Sequence, residues 1–175
     1  MRKTIAALIG AAATITMISG ASLAAASTHP AGARPASLRP AVTKIEHFQA
    51  VSVSLTTNTN HIIAYGAFAA GGTDVENSNN TDTFKFPGGT FRVTHKVKGG
   101  HEHFSKATCL NLISQHGTLK ISHGTGKYAG ISGSGTFKLA IVFIDGRNSH
   151  GACSMRVKPV AGQLIIQAQG PVTLP

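Results

Sequence analysis

Alternation of apolar and polar residues with a period of two runs from about Lys44 to the end of the chain, the signature of strands with one covered face and one wet face. In Val51-Ser52-Val53-Ser54-Leu55-Thr56 the apolar side chains fall on one face and the hydroxyls on the other. A second run, residues 61–70, is rich in Ile, Ala and aromatic residues. The polar stretch from Gly71 to Thr81, with Gly-Gly at its start and Asn77, Asn79 and Asn80 near its end, reads as a surface loop. The clearest unit is a hairpin: Phe84 and Phe86 precede Pro87-Gly88-Gly89, after which Phe91, Val93, His95 and Val97 alternate with Arg92, Thr94, Lys96 and Lys98. Further strands are predicted at about 108–115, 118–123, 135–145 and 160–169. In the third of these Phe137, Leu139, Ile141 and Phe143 share a face, and Ala140, Val142 and Ile144 make the other face apolar too, which predicts cover on both sides. About eight strands result, with no amphipathic helix among them. Eight strands closed into an antiparallel β-barrel lose their exposed edges and leave an interior for side chains or one small ligand. A two-sheet sandwich is the competing arrangement.

The region before Lys44 has a different character. Arg2 and Lys3 precede an apolar run, Ile5 to Ile18, and small residues lead to Ala24-Ala25-Ala26. This is the tripartite pattern of a secretory signal peptide, and its apolar run is shorter than the ~20 residues that span a bilayer. The expected organisation is therefore a signal peptide over 1–26, a flexible Ala/Pro-rich leader over 27–43 with Pro30, Pro35 and Pro40, and a β-barrel domain over 44–175. The product is expected to be secreted, with no transmembrane segment in the mature chain.

Composition sharpens this reading. Only 13% of residues are charged and Gly accounts for 20 of 175, which argues against a coiled coil or a charge-driven disordered chain. Export makes one disulfide, Cys109 to Cys153, the simplest use of the only two cysteines. It would close a loop worth roughly 4 kcal/mol in chain entropy. Removing Arg2 and Lys3 leaves 14 basic against 6 acidic residues, a net charge of +8. An anionic cell-envelope surface is the partner this charge suggests. Nucleic acid is not expected, because the basic residues are scattered and lack interleaved aromatics.

Residues 123–137 are dense in glycine: Gly124, Gly126, Gly130, Gly133 and Gly135. Gly124, Gly126 and Ala129 formally match a dinucleotide fingerprint, but the helix that motif requires does not follow. A tight structural turn with close backbone packing is the expectation instead. Gly124-Thr125-Gly126-Lys127-Tyr128, then Gly133 and a strand, resembles the turn shared by allene oxide cyclases and dirigent proteins. Exported bacterial proteins with an allene oxide cyclase barrel-like domain are similar in the phrase Gly-Lys-Tyr-Ala-Gly-Ile-Ser-Gly-Ser-Gly and in the Phe-Pro-Gly-Gly-Thr-Phe hairpin. The resemblance implies an eight-stranded antiparallel barrel with a hydrophobic cavity, often oligomeric in the plant members. It carries over no catalytic carboxylate: Glu46 lies near the first strand without the surrounding motif.

Nine histidines outnumber the six carboxylates. His95, His101 and His103 lie close together, but no Glu follows and lysines surround them, so no metal and no cofactor is assigned. His95 shares parity with Phe91, Val93 and Val97, and His123 with Leu119 and Ile121, which would carry both imidazoles into an apolar lumen. There they could orient or protonate a bound molecule, and they are the candidate catalytic groups. Tyr65, His95, His123 and Tyr128 form the candidate ligand-binding set, against the alternatives that the tyrosines are core aromatics and that the histidines sit hydrogen-bonded or wet at strand ends. The leading function is non-catalytic binding of a small hydrophobic or amphipathic molecule in the cavity. A cyclase- or isomerase-like enzyme is the alternative, and a basic module associated with the cell envelope is the third.

Overall fold

The computed structural model describes residues 41–52, 54–78 and 80–175. The predicted signal peptide, and the leader up to residue 40, lie outside the described residues. Eight strands follow one another: β1 (Val42–Ser52), β2 (Thr59–Tyr65), β3 (Ala70–Ser78), β4 (Thr81–Phe86), β5 (Gly89–Ser105), β6 (Leu110–Ser122), β7 (Ser132–Ile144) and β8 (Ala161–Leu174). Each pairs antiparallel with the next, and β1 pairs with β8 from Val42↔Leu174 to Ser52↔Leu164, so the sheet is a closed barrel. Closure leaves no unpaired edge, which is how so short a chain of strands satisfies its backbone. Among the described residues no helix is long and apolar enough to cross a membrane.

The barrel has the predicted number of strands, but several are drawn differently. The stretch expected to be a loop, Gly71 to Thr81, is mostly strand β3, whose one buried position is the polar Asp74. The two runs expected at 108–115 and 118–123 are one strand, β6. β1 begins two residues before Lys44 and turns Glu46, Phe48, Ala50 and Ser52 inward, so Ser52 and not Val51 faces the lumen. The second face of β7 is not covered: Val142 and Ile144 are 41% and 39% exposed, because each lies on the outer face of a single-layered wall. The hairpin at Pro87-Gly88 forms as expected, with Phe86 opposite Gly89 and Gly88 at φ +91°, a conformation open chiefly to glycine.

In β5 a bulge between Val97 and Gly99 inserts Lys98 and shifts the register against β6. His95 lies before this bulge on the inner face. His101 and His103 lie after it, exposed, with His101 hydrogen-bonded to the Ser114 hydroxyl. The bulge thereby separates histidines that the sequence places together. The Cys109–Cys153 disulfide ties the β5–β6 turn to the long β7–β8 connection, both at one end of the barrel.

Candidate functional site

Inward side chains make two unlike halves of the lumen. At one end Phe48, Phe84, Phe86, Phe91 and Tyr128 pack with Phe68 from the β2–β3 connection, with ring centroids 5.1–6.4 Å apart in mostly tilted and edge-to-face pairs. Glu46 closes the same end, fully buried, its Oε2 accepting the Phe68 N–H at 3.0 Å. Burial pushes its carboxyl above the usual range, although backbone N–H groups pull the other way.

The predicted glycine turn braces this plug from outside the strand ladder. It forms a single 3₁₀ turn, Gly126–Tyr128, and lies on the β4–β5 hairpin through Lys127 N–H to Gly88 O and Thr125 N–H to Thr90 O, both 2.8 Å. Gly126 sits at φ +57°, and a Cβ there would meet the Gly88 carbonyl. The turn delivers Tyr128, 2% exposed, onto Phe68, Phe86 and Phe91. Gly130, Gly133 and Gly135 follow it, the last two lying against the Pro171 and Gln169 carbonyls of β8.

The other half is hollow. A cavity of about 270 Å³ is walled on one side by Leu119, Phe137, Leu139, Ile141, Leu164 and Ile166 of β6–β8. Asn60, Asp74, Glu76, Asp82 and His95 of β2–β5 supply the polar groups of the wall. The cavity is thus amphipathic, with a polar wall and an apolar one.

Strand register assembles the polar wall. Asn60 lies opposite Asp74, and Glu76 opposite Asp82, on adjoining strands. Asn60 Nδ2 donates to Asp74 Oδ2 at 2.9 Å. Asp74 is 3% exposed, and its Oδ1 is buried without a partner. Burial, with the Asp82 and Glu76 charges adding to it, raises the Asp74 carboxyl to about 6. His95 Nδ1 and Asp82 Oδ2 are 3.0 Å apart, a contact that orients the imidazole, whose ring stands edge-on to Phe137. Chemically, this wall can receive a hydrogen-bond donor or cation, and its Asp–His pair can hold or move a proton.

Of the four residues predicted to bind ligand, the structure brings only His95 to the cavity. Tyr65 points outward, 49% exposed, and stacks on His47, because the inward positions of β2 are Ile62 and Ala64. His123 does not continue the parity of Leu119 and Ile121. β6 ends at Ser122, and His123 turns out to solvent at φ +55°, its Nδ1 hydrogen-bonded to the Ser122 hydroxyl. Tyr128 is buried in the plug rather than the hollow. Asn60, Asp74, Glu76 and Asp82 were not singled out by the sequence reading. Their signal is the alternation Asp74, Glu76 against Thr73, Val75, which is inverted relative to a strand over a greasy core.

No protein-family model, curated protein or solved structure matches this chain.

Proposed function

We propose that the barrel is a small-molecule binding protein of the allene oxide cyclase type, exported from the cell, whose ligand sits in the hollow half of the lumen. The observation that carries this reading is the amphipathic cavity of about 270 Å³, left open by a barrel that packs its other end solid. An apolar cavity of about 150 Å³ already holds benzene, so this one suits a body of roughly seven to ten non-hydrogen atoms. The kinship rests on the Gly124–Tyr128 turn and the Pro87-Gly88-Gly89 hairpin, which pack on each other here. Export rests on the N-terminal pattern, and the disulfide agrees with an oxidising compartment. Xenon diffused into crystals of the protein should occupy the hollow half, and 1-hexanol should raise its melting temperature. Neither effect would be seen if the cavity were collapsed or inaccessible in solution.

The Asp82–His95 pair favours a second reading, proton-transfer catalysis of a cyclase or isomerase kind on the bound molecule. It predicts turnover of unsaturated epoxide substrates that is lost in His95→Gln. Turnover equal in the two proteins would take His95 out of the chemistry.

A further inference from the structure

Charge is sorted by side in this barrel. Every Lys and Arg among the described residues is exposed. Three of the six acidic residues line one cavity: Asp74, which is buried, Asp82, which is half-buried, and Glu76, which is itself exposed. The only basic group among the residues lining that cavity is His95, already engaged with Asp82. Asp74 is the innermost of the three, nine-tenths buried and more, and one of its oxygens has no hydrogen-bond partner. A carboxylate taken out of water and left half-satisfied disfavours folding; Glu46 and Asp145 each bury one such oxygen too, and Asp74 is the one of the three that lines the cavity.

We infer that the molecule held in the cavity carries a protonated amine, received by Asp74 with Asp82 and Glu76 around it, on a short apolar body that lies against β7 and β8. The inference rests on the cavity being a ligand site and adds the chemical class of the ligand. Geometry supports the division of labour. Asn60 occupies Oδ2 of Asp74 and Oδ1 is buried without a partner, so the carboxylate keeps unused acceptor capacity, while the side chains of Leu139, Ile141, Leu164 and Ile166 offer no polar atom for a second head group. A carboxylate ligand would meet three like charges there, and a neutral alcohol would leave them unneutralised. An ammonium forms charge-assisted hydrogen bonds with such a wall, stronger than neutral ones. Gln115 is the one polar side chain that the facing strand β6 adds to the cavity, and it is uncharged.

The test compares three probes of one length, hexylammonium, 1-hexanol and hexanoate, titrated into the full chain by calorimetry near pH 7.5 in about 0.15 M salt, where the field of the exposed lysines is screened within about 8 Å. Hexylammonium is expected to bind at least about ten-fold tighter than hexanol, with hexanoate weakest. Asp74→Asn should erase that preference, as expected when one charge-assisted contact is removed. Lowering the pH to about 5 should weaken the preference in the unaltered chain, since protonating Asp74 removes negative charge from the cavity. Equal binding of hexylammonium and hexanol, or tighter hexanoate, overturns the inference and leaves the cavity as an apolar site. An ammonium preference untouched by Asp74→Asn overturns it as well, because the cation would then sit elsewhere. Failure of all three probes to bind overturns the cavity reading itself. The probe comparison on the unaltered chain decides between these outcomes even if the variant is poorly folded.

Discussion

The two halves of the lumen are built from the inward positions of the same strands, yet one is full and the other is empty. β4 and β5 show the contrast within a few residues: Phe84, Phe86 and Phe91 fill the plug, while Asp82 and His95, further along the same faces, line the hollow. Where the inward residue belongs to the cluster of rings that includes Phe84, Phe86 and Phe91, neighbouring rings meet and fill the space between them. Where it is Ala50, Val93 or a carboxylate, the opposite walls do not touch and space remains. Dense packing and open space thus fall at different ends of the barrel. The plug holds the barrel shut and buries Glu46 with one carboxylate oxygen unpartnered, and the hollow buries Asp74 in the same state.

This division can be broken first at the plug. Phe91 is 1% exposed and touches Phe48, Phe68, Phe84, Phe86 and Tyr128, so Phe91→Ala should cost about 3–5 kcal/mol in denaturant unfolding. Ile166→Ala, which enlarges space that is already open, should cost less than about 2 kcal/mol. Equal losses at the two positions would show that both ends bear the fold alike.

The hollow half answers to a change of opposite sign. An ordinary Asp titrates near 3.8, but Asp74 titrates at about 6, so the folded chain holds a proton that the unfolded chain releases. Its contribution is therefore absent below about pH 4, grows unfavourable as pH rises through 6, and is fully unfavourable above that. Asp74→Asn should stabilise the protein by on the order of 2–3 kcal/mol near pH 8 and by almost nothing near pH 4. A variant less stable than the parent at pH 8 would mean that Asp74 is satisfied in the folded state and belongs to the framework.

The sequence showed the barrel more clearly than the site. The all-β character, the hairpin at Pro87-Gly88 and the disulfide were legible because each depends on local chemistry: alternation, turn residues and a lone cysteine pair. The eight strands expected are not the eight observed, however. Splitting β6 added one and reading β3 as a loop removed one. β3 was hidden because Gly72, Asp74 and Glu76 face inward while Thr73 and Val75 face outward, the reverse of a strand on an apolar core. That inversion is itself the trace of a polar cavity, but it is recognisable only once the neighbouring strands are known. His95 was found because parity with Phe91 and Val93 holds to that point, before the bulge at Lys98. Parity does not carry His123 inward because the strand stops one residue earlier, leaving it at a wet strand end, and Tyr65 is turned outward because Ile62 and Ala64 take the inward positions of β2.

The most direct test of a filled end and an open end is a map of where a small amphiphile touches the barrel. Hexylammonium titrated into isotopically labelled protein should move the NMR signals of Asn60, Asp74, Val93, His95, Leu139 and Ile166 together, with one affinity. Signals of Phe86, Phe91, Tyr128 and Ile131 at the packed end should stay in place. Shifts centred on the aromatic end, or spread over the outer face without saturating, would contradict the account.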